Sequence, residues 1–171
     1  MGPRIALRDG TEDDVESILA IVNHSILHTT SNYNYDVNTM EVQLEWFRDR
    51  VTKGFPIFVA TDGTDGRVVG FGSFGPFREK KGYQYTVEHS VYVDKDMVGK
   101  GIGSLLLARL IEAARDKGLH CMIGVVDADN KQSIAFHEKF GFSVSGTFRQ
   151  VGYKFDRWLD AVFMSLLLDK E

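Results

Sequence analysis

Apolar residues at Val15, Ile18, Leu19, Val22 and Ile26 fall three or four positions apart with polar residues between them, the period of a helix that buries one face. Thr11, with Asp14 three residues on, has the form of a capping box at its start, and the strand-like run "RIALRDG" precedes it. This helix ends near His28. The segment "TTSNYNYDVN" has no clear period and reads as a loop, after which Thr39 caps a second helix over "MEVQLEWFRDRVTKG". The pattern then changes. "PIFVAT", "RVVGFGSFGPF" and "YQYTVEHSVYV" are β-branched and aromatic runs, the first two divided by the turn-rich "DGTDG", and they read as an antiparallel meander.

A third helix, Ser104 to Lys117, carries Leu105, Leu106, Leu110, Ile111 and Ala114 on one stripe, with Gly118 placed to close it. "HCMIGVV" is the nearly continuous apolar strand of a sheet covered on both faces. "ADNKQSIAFHEKFGF" opens a short helix near Asn130 and closes it at Gly141, and "SVSGTFRQVGYKF" with "LDAVFMSLLL" make a last strand pair. The order β-α-α-β-β-β-α-β-α-β-β predicts a mixed α/β (α+β) fold without repeats or linkers.

Length and composition narrow what such a fold does. A chain of 171 residues is expected to form one domain, residues 1–171, around one core. With 43% hydrophobic and 26% charged residues it has the make-up of a globular protein. A formal charge of −4 argues against broad binding to nucleic acid or an anionic membrane and favours a small-molecule partner. Cys121 is the single cysteine, so no internal disulfide forms, and within "HCMIGVV" it reads as a small core residue. No apolar run has the length of a membrane span, the first residues lack a signal core, and Ala6 stands where a myristoylation signal wants Ser or Thr. A cytoplasmic location is expected.

The chemistry gathers at "VDKDMVGKGIGS", where Gly99, Gly101 and Gly103 lead straight into a helix. A bare backbone at a helix start, with unpaired N–H groups and positive dipole character, suits a phosphate; a glycine-rich tight turn is the plain alternative. A P-loop fails because Asp94 stands where its first glycine belongs. A dinucleotide fingerprint fails because neither Gly99 nor Gly101 has its third glycine. The combination of a strand, a short acidic loop, G-K-G-I-G and a helix, followed by N-x-x-S and F-G-F, resembles the GNAT family of acyl-CoA-dependent N-acyltransferases. Their signature Q/R-x-x-G-x-G/A aligns with Val98 to Gly103, Val98 departing from it. "YTVEHSVYV", "NKQSIAFHEKFGF" and "QVGYKFDRWLD" extend the likeness from Ile5 to Leu168, toward the phosphinothricin and methionine-sulfoximine N-acetyltransferase branch.

The resemblance implies a GNAT acyl-CoA N-acyltransferase fold with a central, mostly antiparallel, splayed sheet flanked by helices. It implies acetyl-CoA as cofactor, held by Val91, Tyr92 and Val93 along the pantetheine arm, by Gly99, Lys100, Gly101, Ile102, Gly103 and Ser104 at the pyrophosphate, and by Asn130, Ser133 and Lys139. The N–H near Val91 would polarise the thioester carbonyl. Glu88, a carboxylate in an apolar strand, is the expected general base, its competing role an ion pair with Arg78 or Lys154. His137 stands where many members place a Tyr that protonates the thiolate, and packing is the competing reading. Arg78, Lys81, Gly82, Tyr83, Glu88, His89 and Ser90 would border an amino-acid-like acceptor, although strand alternation turns His89 away from Glu88. His24, His28 and His120 look scattered, and no metal site is expected. The expected activity is acetylation of the α-amine of a small amino acid or analogue, by direct transfer in a homodimer. Acetylation of another amine, or coenzyme A binding without catalysis, are the alternatives.

Overall fold

The computed structural model describes residues 4–169; residues 1–3, read above for a leader, lie outside it. The strands are β1 (Ile5–Asp9), β2 (Ile57–Asp62), β3 (Val68–Pro76), β4 (Thr86–Val93), β5 (Cys121–Asp127), β6 (Ser143–Lys154) and β7 (Arg157–Leu167). The helices are α1 (Val15–His28), α2 (Met40–Thr52), α3 (Ile102–Asp116) and α4 (Lys131–Lys139). Their order is the one the hydrophobic pattern predicts. They build one sheet, β1-β2-β3-β4-β5-β7-β6, antiparallel everywhere except between β4 and β5.

The local signals act as read. Thr11 and Asp14 form a reciprocal capping box, although it opens a 3-10 turn that leads into α1. Asp14 is buried, and the Arg8 guanidinium, bonded to it at 2.7 and 2.8 Å, holds its carboxyl below the usual range. The Thr39 hydroxyl accepts from the Val42 N–H, and Gly118 takes a left-handed φ of 70° where α3 ends. Three details differ. Helix α3 starts at Ile102 rather than Ser104, because Gly101 is already its N-cap. Leu105 is exposed and Leu107 takes its place on the buried stripe. Residues Lys81–Tyr83 form a 3-10 turn, so the strand begins only at Thr86.

Each face of the sheet carries its own apolar layer. On one face α1 and α2 pack Val15, Ile18, Ile26 and Phe47 onto Val59 and Phe71. On the other, α3 lays Leu106, Leu107 and Leu110 against Phe58, Val69, Phe74 and Val87. That approach is close because β3 offers glycines there. A Cβ at Gly70 would come within 3.0 Å of Ile102, and one at Gly72 within 3.0 Å of Leu110. The sheet therefore fixes where α3 begins, which is the glycine loop.

Leu106 has no exposed surface and sits at the centre of this layer. Leu106→Ala is expected to lower the unfolding free energy by about 2–5 kcal/mol, read from the midpoint of urea denaturation at unchanged slope.

Candidate active site

Strands β4 and β5 pair through only three positions, Thr86 with Cys121, Val87 with Met122 and Glu88 with Ile123. Beyond Glu88 they part. β4 runs on to Val93 on its β3 ladder, and β5 runs on to Asp127 on its β7 ladder. Between them lies a cleft of about 820 Å³, within the range that holds a cofactor. Backbone groups on its two lips have no strand to pair with, so they are free to bind an extended ligand.

The glycine loop closes one end. Gly99 and Gly101 take left-handed φ values of 81° and 78°, which explains glycine at both. Gly103 has no such φ, and a Cβ there would make only ordinary contacts with Phe136 and Val91. The first N–H groups of α3 lack intrahelical partners by construction, and Gly101 to Ser104 line the cleft. This is a cradle for phosphate oxygens.

Of the expected cofactor residues, Val91, Tyr92, Val93, Gly99, Gly101, Ile102, Gly103, Ser104, Asn130, Ser133 and Lys139 all line the cleft. Lys100 does not, and its ammonium lies 3.5 Å from the Met97 sulfur. Asn130 caps α4, its side-chain oxygen accepting from the Ser133 N–H at 3.0 Å. Val98 is 65% exposed, so nothing in the core demands an apolar residue there.

The wall of the cleft around Glu88 brings together residues that the sequence did not group. Glu88, Ser90 and Tyr92 share the face that carries α1 and α2, and Tyr92 stacks on Phe71 at 5.2 Å. Facing them is the loop Thr30–Tyr33, which composition alone could not assign. It is tied down by distant groups. The Thr30 hydroxyl donates to Asp127 at 2.6 Å, and the buried Lys154 ammonium donates to the carbonyls of Thr29 (2.8 Å) and Asn32. Arg78, Lys81, Gly82 and Tyr83 stand outside the cleft, Arg78 lying over the Phe77 ring at 5.1 Å.

Glu88 is half-buried, and among the described residues it forms no ion pair. Lys154 is spent on carbonyls, which removes it as a partner. Burial pushes the Glu88 carboxyl up, and the charges of Arg78 and Arg50 oppose that rise. Arg50 had no place in the sequence reading. A carboxyl so placed takes up a proton more readily than an exposed one.

His89 faces away from Glu88, as alternation predicts, but it is no bystander. Its Nε2 lies 3.0 Å from Nε2 of His137, and the two rings stack at 5.1 Å. The pair occupies the point where β4 and β5 part: a Cβ at Gly124, the next position of β5, would sit 2.9 Å from His89 and 3.0 Å from His137. The protons follow from the partners. The Ser133 carbonyl can only accept, so Nδ1 of His137, 2.7 Å away, carries a proton, and the neutral ring accepts at Nε2 from the Nε2–H of His89. Nδ1 of His89 is then a buried lone pair without a partner. Burial holds both rings neutral, pushing His89 down to about 3 with help from His137. The only N–H of His137 is thus engaged with a backbone carbonyl rather than free for a thiolate.

Among the described residues no three His, Cys, Asp or Glu side chains gather into a metal site. His24 and His28 lie one turn apart on α1, their tilted rings in contact with centroids 4.7 Å apart. Cys121 is half-buried at the start of β5, and burial pushes its thiol up, which suits a packing residue rather than a nucleophile.

Residues 22–142 match the acetyltransferase (GNAT) family. The chain belongs to that family. It is 44% identical to an L-methionine sulfoximine/L-methionine sulfone acetyltransferase of Pseudomonas aeruginosa over 96% of this chain and 95% of that one. It is 32% identical to a phosphinothricin N-acetyltransferase of Streptomyces coelicolor over 93% of this chain and 94% of that one. Among solved structures, an acetyltransferase from Salmonella typhimurium with its cofactor acetyl-CoA superposes with a TM-score of 0.93 at 41% identity, over 98% of this chain and 95% of that one. The sheet and its four helices are thus the GNAT fold, and the chain is an acetyl-CoA-dependent N-acetyltransferase of the methionine-sulfoximine and phosphinothricin branch.

The histidine pair carries a pH dependence. In the unfolded chain a histidine titrates near about 6.5, and in the folded chain His89 titrates at about 3. The unfolded state binds more protons between those values, so the pair's contribution is complete above the upper one and is lost as pH falls toward the lower. His89→Gln keeps a donor for His137 and removes the titration. It is expected to flatten the loss of unfolding free energy across that window, measured by urea denaturation at a series of pH values.

Proposed function

We propose that the protein acetylates the α-amine of a small amino acid or analogue of the methionine sulfoximine, methionine sulfone or phosphinothricin kind, with Glu88 as general base. The observation that carries this reading is the position of Glu88. It is the last paired residue before the strands part, half-buried and, among the described residues, free of any ion pair, and it faces the loop Thr30–Tyr33. The cradle at Gly99–Ser104 and the unpaired lips of β4 and β5 fit the phosphates and the amide-bearing arm of acetyl-CoA. Bound there, acetyl-CoA supplies an acetyl group already activated as a thioester.

The protein's own groups do the rest. Main-chain groups of Val91, Tyr92 and Val93 hold the arm in strand-like register, and the N–H of Val91 donates to the acetyl carbonyl oxygen. An amino-acid acceptor arrives largely as an ammonium ion, and Glu88 takes its proton directly or through a water before attack. Arg78, whose charge reaches Glu88 from the loop after β3, meets the acceptor's carboxylate where the acceptor extends out of the cleft toward Lys81, Gly82 and Tyr83. His137 serves by its place with His89 over Gly124, where the strands part. After attack the nitrogen gives up its second proton, which goes to the departing thiolate as the C–S bond breaks, and the proton Glu88 collected leaves to solvent. The edge strand β6 with β7 exposes Val144, Phe148, Val151, Tyr153 and Trp158, an apolar strip that a second copy of the chain would cover in the proposed homodimer.

Glu88→Gln is expected to lower kcat for methionine sulfone by about 10²–10⁴-fold, followed as thiol release from acetyl-CoA, with the Kd for coenzyme A unchanged by calorimetry. No turnover above background by the native chain across methionine sulfoximine, methionine sulfone and phosphinothricin would remove the substrate reading. Arg78→Ala separates the classes of acceptor, because it should depress amino-acid substrates far more than simple amines lacking a carboxylate.

Val98→Gln restores a polar side chain at the mouth of the phosphate cradle. One added hydrogen bond of ordinary worth is expected to tighten coenzyme A binding about two- to tenfold, read as a lower Kd for coenzyme A by calorimetry.

A further inference from the structure

Arg50 is a cation without a carboxylate. It is half-buried near the end of α2, its guanidinium over the Trp46 ring at 5.5 Å and its Nη1 3.4 Å from the Ser73 hydroxyl. Among the described residues no acidic oxygen lies within 4.0 Å of it, and its neighbour Asp49 is paired with Lys53 at 3.0 Å. A buried guanidinium left so poorly partnered is costly unless some other charge compensates it.

The place where it docks identifies that charge. A Cβ on Gly75 would stand 2.4 Å from Nη1, 2.6 Å from Cζ and 2.9 Å from Nη2 of Arg50. The guanidinium therefore fills the space of the side chain that Gly75 lacks. Gly75 is the register partner of Glu88 on the β3–β4 ladder. Directly opposed residues of an antiparallel pair project to the same face with Cβ atoms about 4.5–5.5 Å apart. Arg50 stands where a cross-strand neighbour of Glu88 would stand. It does not line the cleft, so it lies behind the carboxylate and not in the path of an acceptor.

We propose that Arg50 is the positioning residue of Glu88: seated in the side-chain slot left open by Gly75, its charge holds the carboxylate ionised while leaving the cleft clear for substrate. This role rests on the reading of Glu88 as the base. The groups facing Glu88 are Arg50 from α2, Arg78 from the loop after β3 and the Tyr92 phenol on its own strand. Burial raises the carboxyl and the two arginines lower it. Loss of Arg50 removes a downward pull, so Glu88 protonates at a higher pH and the base is lost earlier on acidification.

The test compares the native chain with R50Q, R50K, G75A and E88Q. Two readouts are used: the pH profile of kcat/KM with acetyl-CoA and methionine sulfone, and a carbon-13 NMR titration of the Glu88 carboxyl, which needs no substrate. R50Q is expected to lose about tenfold in kcat/KM on the acid side, the effect of removing one nearby opposite charge, and to recover toward native values on the alkaline side. Its Glu88 resonance should titrate at higher pH than the native one. R50K, which keeps the charge, should retain the native acid limb. G75A should follow R50Q, because the added methyl displaces the guanidinium. An inactive E88Q beside an R50Q whose limb and resonance are unmoved overturns the role of Arg50 alone. An E88Q with undiminished turnover overturns the reading of Glu88, and this role with it.

Discussion

The parting of β4 from β5 is the constraint on which the rest depends. Three register pairs join the antiparallel half of the sheet, β1 to β4, to the half formed by β5, β7 and β6. Beyond them, alternate residues on each lip, Val91 and Val93 of β4 among them, have main-chain groups that the sheet leaves unused, and such groups must be satisfied by ligand or water. The histidine pair over Gly124 keeps that opening from closing. Any side chain at Gly124 would contest the space of both rings, and any stronger pairing of His89 with β5 would displace them. A sheet that failed to close would ordinarily be a liability. Here the unpaired edge faces inward, between two strands of the same chain, where it is out of reach of another sheet's edge.

Glycines govern how near the helices and charges come to this opening, and they do so in three different ways. At Gly99 and Gly101 the backbone itself requires them, because both take left-handed φ. At Gly70 and Gly72 they bring α3 down onto β3 and so set the height of the phosphate cradle. At Gly75 and Gly124 the missing side chain is replaced by part of another residue, a guanidinium in one case and two imidazoles in the other. The first kind can be recognised from the local sequence. The third kind cannot, because its meaning lies in a residue tens of positions away.

That distinction accounts for what was legible beforehand. The elements, their order, the meander, the capping box at Thr11, the Thr39 cap and the closing glycine Gly118 are local events, and period and turn chemistry reveal them. So is the glycine loop running into α3. The role of Leu105 was misread because neighbouring leucines fit the stripe almost equally well, and only packing against β3 chooses Leu107. The loop Thr30–Tyr33 gains its place from Asp127 and Lys154, far along the chain. His89 was correctly turned from Glu88 by alternation, yet its meeting with His137 depends on where α4 docks. Arg50 was invisible for the same reason. On a polar helix an arginine looks like a solvated residue until the opposing glycine is known.

The electrostatics of Glu88 follow from placing these parts together. In the proposed reaction, a base that works on an ammonium ion has to be charged when the substrate arrives and basic enough to keep the proton it takes. Burial alone raises the carboxyl and so favours its protonated form, whereas full exposure would leave it charged but weak. The site resolves the conflict by geometry. The carboxylate is half-buried at the last rung before the strands part, so desolvation strengthens it as a base. Two guanidiniums restore the charge, and neither is close enough to form an ion pair that would tie the carboxylate down. Because Arg50 is seated against Trp46 and Gly75 while Arg78 lies over Phe77 on the loop after β3, the two cations can act independently. On the proposed reading, one sets the state of Glu88 whether or not an acceptor is bound, and the other is free to change partners when a carboxylate enters.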